Sequence, residues 1–206
     1  NSNMHVVRII RWLLSLIFPQ RNTERLVEET TDEEFLALLS PRVTDTGAIA
    51  LLPYRHPLVR VAIVETKFKR NPRAIALLAA ALREYLAAYQ EETSELGEGA
   101  LTLTVIPLAK MRRHERGYNQ VEEVALRAGY TPTPLLTRIR DTVPQTTLTR
   151  KQRLLNMAGA FEASAIPAGT VIVLDDVVTT GATLAAARNS FLSAGGEKIV
   201  LLALAH

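Results

Sequence analysis

The chain has 206 residues, no cysteine, 48% hydrophobic residues and a formal net charge of +3. That length suits one domain, or one domain with a small appendage, and it buries enough surface to fold without disulfides. The missing cysteine excludes disulfides and cysteine-ligated zinc and fits a cytoplasmic protein, and a net charge this small does not by itself point to nucleic acid.

Asn1-Ser2-Asn3 precede Met4 and read as a cloning remnant. The stretch VVRIIRWLLSLIF, Val6 to Phe18, is too short to span a bilayer, carries Arg8 and Arg11, and has no small-residue cleavage site after it. A helix with one apolar face is expected over residues 5–17. An amphipathic helix lying on a membrane is the alternative. TTDEEFLALLS predicts a short helix capped by Thr31 or Asp32, with Pro41 beyond its end. GAIALLPY predicts a short strand, and HPLVRVAIVETKFK a helix from its apolar spacing. Asn71 as cap and Pro72 at the first position open a long Ala/Leu-rich helix. ELGEGA is a loop, and LTLTVIP a strand ended by Pro107. A helix from Asn119 to Ala128 closes at Gly129. PLLTRIR predicts a strand, Thr149 to Met157 a helix, and GAFEAS another short strand. GTVIVLDD predicts a buried strand, Gly181 to Ala194 a helix, and the residues after Gly195-Gly196 a last strand.

Strands alternate with helices through residues 101–206, which predicts a parallel sheet with helices on both faces. A division is expected near Pro41–Thr46, giving an N-terminal helical appendage over residues 1–45 and a core over residues 46–206. Charge divides in a similar way. Residues 1–100 carry 12 basic and 13 acidic side chains, and residues 101–206 carry 12 basic and 8 acidic ones. The basic excess gathers in KMRRHERG and TRIRDTVPQTTLTRKQR. Such runs are usually solvated surface, but here they share one half of the chain with a pair of acids.

Those acids, Asp175 and Asp176, end the apolar run VIVL and precede VVTTGATL. In a parallel sheet the ligand sits at the carboxyl ends of the strands. Within a continuing strand adjacent side chains face opposite ways, so both acids reach one ligand only if the chain turns there. The helix starting at Gly181 presents backbone N–H groups of Thr179 to Thr183 that have no intrahelical partner, and these suit a phosphate. Two acceptors beside a phosphate cradle fit a sugar phosphate. No G-K-[ST] follows the glycine, which excludes a P-loop, and no spaced glycines mark a dinucleotide site. His114 and His206 are isolated, so no zinc or other metal-ligand set is expected from histidine.

This segment resembles the PRPP-binding signature of type I phosphoribosyltransferases. With YRHPLVRVAIVETKF (Tyr54–Phe68), RHERGYNQ (Arg113–Gln120) and QTTLTRKQRLLNMAGAF (Gln145–Phe161), the order of motifs is similar to that of the ComF (competence protein F) family, over about residues 9–206. In that family the FP of LIFPQRNTERL precedes a C-x-x-C pair of a zinc module. Here Asn22 and Arg25 stand in those places, so the module is absent or degenerate, and Glu24–Glu34 is expected to fold as metal-free helices.

The resemblance implies an α/β fold with a parallel-sheet, Rossmann-like type I phosphoribosyltransferase core and a small helical hood. It implies that Asp175 and Asp176 hold the ribose hydroxyls of PRPP, directly or through Mg²⁺. Thr179, Thr180, Gly181, Ala182 and Thr183 would hold the 5-phosphate, and Pro107 to Arg113, including Lys110, would form a pyrophosphate loop. Arg116, with Arg150 and Arg153 from the QTTLTRKQR segment, would close over the site. The implied reaction displaces pyrophosphate at the anomeric carbon, with Arg and Lys stabilising the departing charge. The purine-salvage branch carries an Asp where this chain has Thr179, which argues against hypoxanthine or guanine as acceptor. Lys67 reads first as a solvated lysine, although the family pattern keeps a basic residue there. Arg153 and Asn156 share a helix face. The family's association with DNA uptake implies an alternative, a non-catalytic module that binds a nucleotide, single-stranded DNA or competence proteins. Few aromatics, 5%, argue against a base-stacking platform.

Overall fold

The computed structural model describes residues 20–96, 99–140, 152, 156–164 and 166–206. The helix expected over residues 5–17 and most of the one expected over 149–157 lie outside the described residues, as do Arg150 and Arg153.

Helix α1 (Gln20–Glu29) and helix α2 (Asp32–Leu36) open the described chain. Thr31 and Glu34 form a reciprocal cap at the start of α2, each side chain accepting from the other's backbone N–H. Strands β1 (Arg42–Val43) and β2 (Ile49–Leu52) make a hairpin. Helix α3 (Pro57–Lys69) and helix α4 (Pro72–Glu95) follow, and Asn71 Oδ1 accepts from the N–H groups of Arg73 and Ala74 to cap α4. Strand β3 (Leu101–Val105) leads into helix α5 (Lys110–Arg116) and helix α6 (Gln120–Arg127). Strands β4 (Leu136–Arg138) and β5 (Phe161–Ala163) pair antiparallel as a separate ribbon. Strand β6 (Thr170–Val177), helix α7 (Ala182–Ser193) and strand β7 (Ile199–Ala205) complete the chain.

The main sheet has the order β1-β2-β7-β6-β3, parallel throughout except for β1. Strand β6, flanked by β7 and β3, is apolar on both faces because both are covered. Ile172 and Leu174 pack with Val59, Leu78 and Val124 from α3, α4 and α6. Val171 and Val173 pack with Leu184 and Phe191 of α7 and with Leu136 and Phe161 of the β4–β5 ribbon. Each such fully buried aliphatic side chain contributes about 1.5–3 kcal/mol. Val27 and Phe35, from α1 and α2, are fully buried in the first of these clusters, so the N-terminal helices share the core of the sheet.

Two expectations need correction. Asp175 and Asp176 do not mark a turn, because β6 runs on to Val177, which still pairs with Ala205 of β7. The reason lies on the other edge. Pairing with β3 stops at Val105 opposite Leu174, where Ile106 N–H donates to the Leu174 carbonyl. From Asp175 onward that edge of β6 faces a crevice instead of a strand. The second correction concerns Lys110 to Arg113, expected in a loop. They open α5, which ends at Gly117 with φ +76 and a bond from Gly117 N–H to the Arg113 carbonyl.

The crevice follows from the connections. The helix after β3 that packs on the sheet, α6, lies on one face, and the helix after β6, α7, lies on the other. Neighbouring strands whose helices leave to opposite faces part at their carboxyl ends, and ligands of open α/β sheets bind there.

Candidate functional site

A cleft of about 170 Å³ opens at this switch point. One wall is Ile106 to Ala109 with Met111 and Arg112, and the other is Val177 to Leu184. Asp175 and Asp176 lie at its base, with Lys67 of α3, Gln120 of α6 and Arg138 of β4 around them. The strand's end thus brings together Asp175, Asp176, Thr179, Thr180, Gly181, Ala182 and Thr183. Lys110, Arg113 and Arg116 are not among the lining residues, whereas their neighbour Arg112 is.

The two acids differ. Asp176 is buried, and its Oδ2 accepts from Lys67 Nζ at 2.7 Å and from Gln120 Nε2 at 2.7 Å. Its Oδ1 accepts from the Val177 N–H at 2.7 Å. Burial works against its charge, but the Lys67 ammonium and these hydrogen bonds together hold its pKa below the ordinary value. Half-buried Asp175 has one such bond, from the Asp176 N–H to its Oδ1 at 2.8 Å. Its burial, and then the charge of Asp176, push its pKa up to about 7, against the weaker pull of Lys67 and Arg112. Breaking a buried pair such as Lys67–Asp176 leaves a charge without its partner and costs about 3–5 kcal/mol.

A second layer holds the first. Arg116 Nη1 donates to Gln120 Oε1 at 2.9 Å, and its guanidinium lies 5.3 Å from the Phe68 ring centroid. Burial, and then the charge of Arg112, lower the Arg116 pKa, although the guanidinium stays charged. Arg116, expected to close over the ligand, therefore lies behind Gln120. Asn119 caps α6 through Val121 N–H, and its Nδ2 donates to the Ile106 carbonyl at 3.0 Å, which ties one cleft wall to that helix.

The opposite wall is the start of α7. Gly181 is its N-cap, with φ +71 and no side-chain cap bond. Among the described residues, no backbone-to-backbone bond outside helices and strands uses the N–H of Thr180, Gly181 or Ala182. On the α-carbon side of Gly181 the space is taken by Thr46 of the β1–β2 turn, whose side-chain atoms stand 2.5–2.6 Å from where a Cβ would be. Glycine is required there by φ and by Thr46 together.

From sequence Lys67 reads first as a solvated lysine at a position the family pattern keeps basic, and Gln120 only as part of RHERGYNQ. Lys67 stands 109 positions from Asp176 and Gln120 stands 56, so no local spacing joins them. The signals available were the basic residue inside the TKFKR helix end and the polar residue directly after the Asn119 cap.

No protein-family model matches the chain, and no curated protein matches it in sequence. Among the described residues, no helix is long and apolar enough to cross a membrane.

Proposed function

We propose that this chain is a phosphoribosyltransferase-like protein of ComF type that binds PRPP and transfers its phosphoribosyl group to an acceptor. One observation carries the reading. A carboxylate pair at the bare edge of β6 and the uncapped start of α7 line one cleft at the switch point. Sugar hydroxyls suit the carboxylate end of the cleft and a phosphate suits the N–H groups, so a ribose 5-phosphate fits both ends.

The displacement forms a bond from the acceptor's nucleophilic atom to the anomeric carbon. The bond to the pyrophosphate oxygen breaks with its electron pair, and the acceptor's proton passes to solvent. Arg112, on the wall facing α7, is placed to stabilise the leaving charge. Among the described residues no three His, Cys, Asp or Glu side chains converge on a metal position, and Asp176 already holds an ammonium. Any Mg²⁺ would arrive with PRPP and lie beside Asp175 and Asp176, where it would supply neutralisation of phosphate charge.

A second reading, a non-catalytic module for single-stranded DNA, is favoured by α5. Its Lys110, Arg112 and Arg113 are exposed, and none takes part in an ion pair among the described residues. Calorimetric titration with PRPP and Mg²⁺, followed by assay of pyrophosphate release with candidate acceptors, tests the first reading. Absent PRPP binding, together with DNA affinity that falls steeply with salt, supports the second.

A further inference from the structure

We propose that the two acids have unequal roles: Lys67 and Gln120 hold Asp176 as an internal anchor, and Asp175 is the carboxylate that meets the sugar hydroxyls. This rests on the phosphoribosyl reading for the identity of the ligand, but not for the division between the acids.

The geometry is one-sided. Asp176 Oδ2 carries two donors at 2.7 Å, one of them an ammonium, and Oδ1 carries a third from the Val177 N–H. A carboxylate has about four acceptor positions, so most of its capacity is used inside the protein. The orientation of Gln120 is also fixed. Arg116 only donates, so Gln120 presents its carbonyl oxygen to Arg116 and its NH₂ to Asp176. Gln120 is buried, and so is Asp176. Asp175, by contrast, accepts only the Asp176 N–H among the described residues, through Oδ1. Its Oδ2 is the acceptor left for a ligand in the cleft that both acids line. Lys67 and Gln120 are then positioning residues. They neutralise and orient Asp176, whose backbone N–H in turn holds Asp175.

The test has two arms. In the first, thermal unfolding is measured without ligand. Asp176→Asn and Lys67→Met each lower Tm, and the double variant lowers it by less than the sum, because neither charge is then left alone. Asp175→Asn leaves Tm unchanged or raises it, since it removes a like charge. Lys67→Arg keeps the pair and restores Tm. Additive losses in the double variant, or equal destabilisation by the two Asp→Asn changes, would overturn the proposal. In the second arm, Mg²⁺–PRPP is titrated calorimetrically. Asp175→Asn weakens binding about tenfold or more with Tm retained, as loss of a charge-assisted hydrogen bond requires. Lys67→Arg recovers the affinity that Lys67→Met loses. An Asp176→Asn protein that keeps its Tm yet loses as much affinity as Asp175→Asn overturns the division. If the wild-type protein does not bind Mg²⁺–PRPP, the phosphoribosyl reading fails, and the Tm arm still decides whether Asp176 is the anchor.

Discussion

At Asp175 the pH dependence has a definite sign. The ordinary carboxyl value is 3.8 for both acids, and in the folded protein Asp175 rises to about 7. Between those values the native state holds a proton that the unfolded chain has released, so stability falls as pH rises through the window and levels off above it. Asp176 acts the other way. Its depressed value adds stability above 3.8 that is lost as pH falls through it. Wild-type Tm is therefore expected to fall from about pH 5 to about pH 8, on the order of a few kcal/mol of stability, and Asp175→Asn to remove that slope. Scanning calorimetry across the window checks it, and a slope that survives the substitution assigns the effect to another group. Gly181 carries a second expectation. Any side chain there is strained at φ +71 and also meets Thr46. Gly181→Ala should cost roughly 2 kcal/mol or more by urea unfolding. Adding Thr46→Ala should recover the contact part and leave the backbone part.

Among the elements, Asn119 holds the junction of β3 with α6. It caps the helix and also satisfies the buried Ile106 carbonyl. Asn119→Ala should lose about 1 kcal/mol for the cap and about 1–3 kcal/mol for the orphaned carbonyl. Asn119→Ser should recover only the cap, and amide exchange over Ile106–Ala109 should quicken in both variants. How far each element was legible follows from where its stability comes from. The apolar run of β6 and the Asn71-Pro72 start of α4 declare themselves locally, and both elements form where expected. KMRRHER has no apolar stripe, and α5 buries none of its residues. That helix depends on a glycine end cap and its position after β3, which periodicity does not register. The acids were legible as a pair at a strand end. Their inequality was not, because it comes from α3 and α6, brought over the strand by the tertiary fold.

For the whole molecule the question is whether the N-terminal helices form a separate unit. A boundary between residues 45 and 46 falls inside the β1–β2 turn, where Gly47 N–H donates to the Thr44 carbonyl and Thr46 touches Gly181. On its N-terminal side, Thr23 Oγ1 donates to the buried Glu65 Oε1 of α3 at 2.8 Å, and Asp32 pairs with Arg73 of α4 at 2.6 Å. Phe35 is fully buried in the same cluster as Ile172 and Leu202 of the sheet. Elements that share a core unfold together when the apolar contacts between them are a large part of each one's stability. Phe35→Ala should then cost about 3–5 kcal/mol. The loss should appear as one cooperative transition displaced as a whole, with amide protection falling in β6 as well as in α2. If β6 keeps its protection while α1 and α2 exchange early, the helices unfold on their own and the division near residue 45 is an energetic one. Loss of protection in both at once makes the N-terminal helices part of the scaffold that holds α3, and through Lys67 of α3, the base of the cleft.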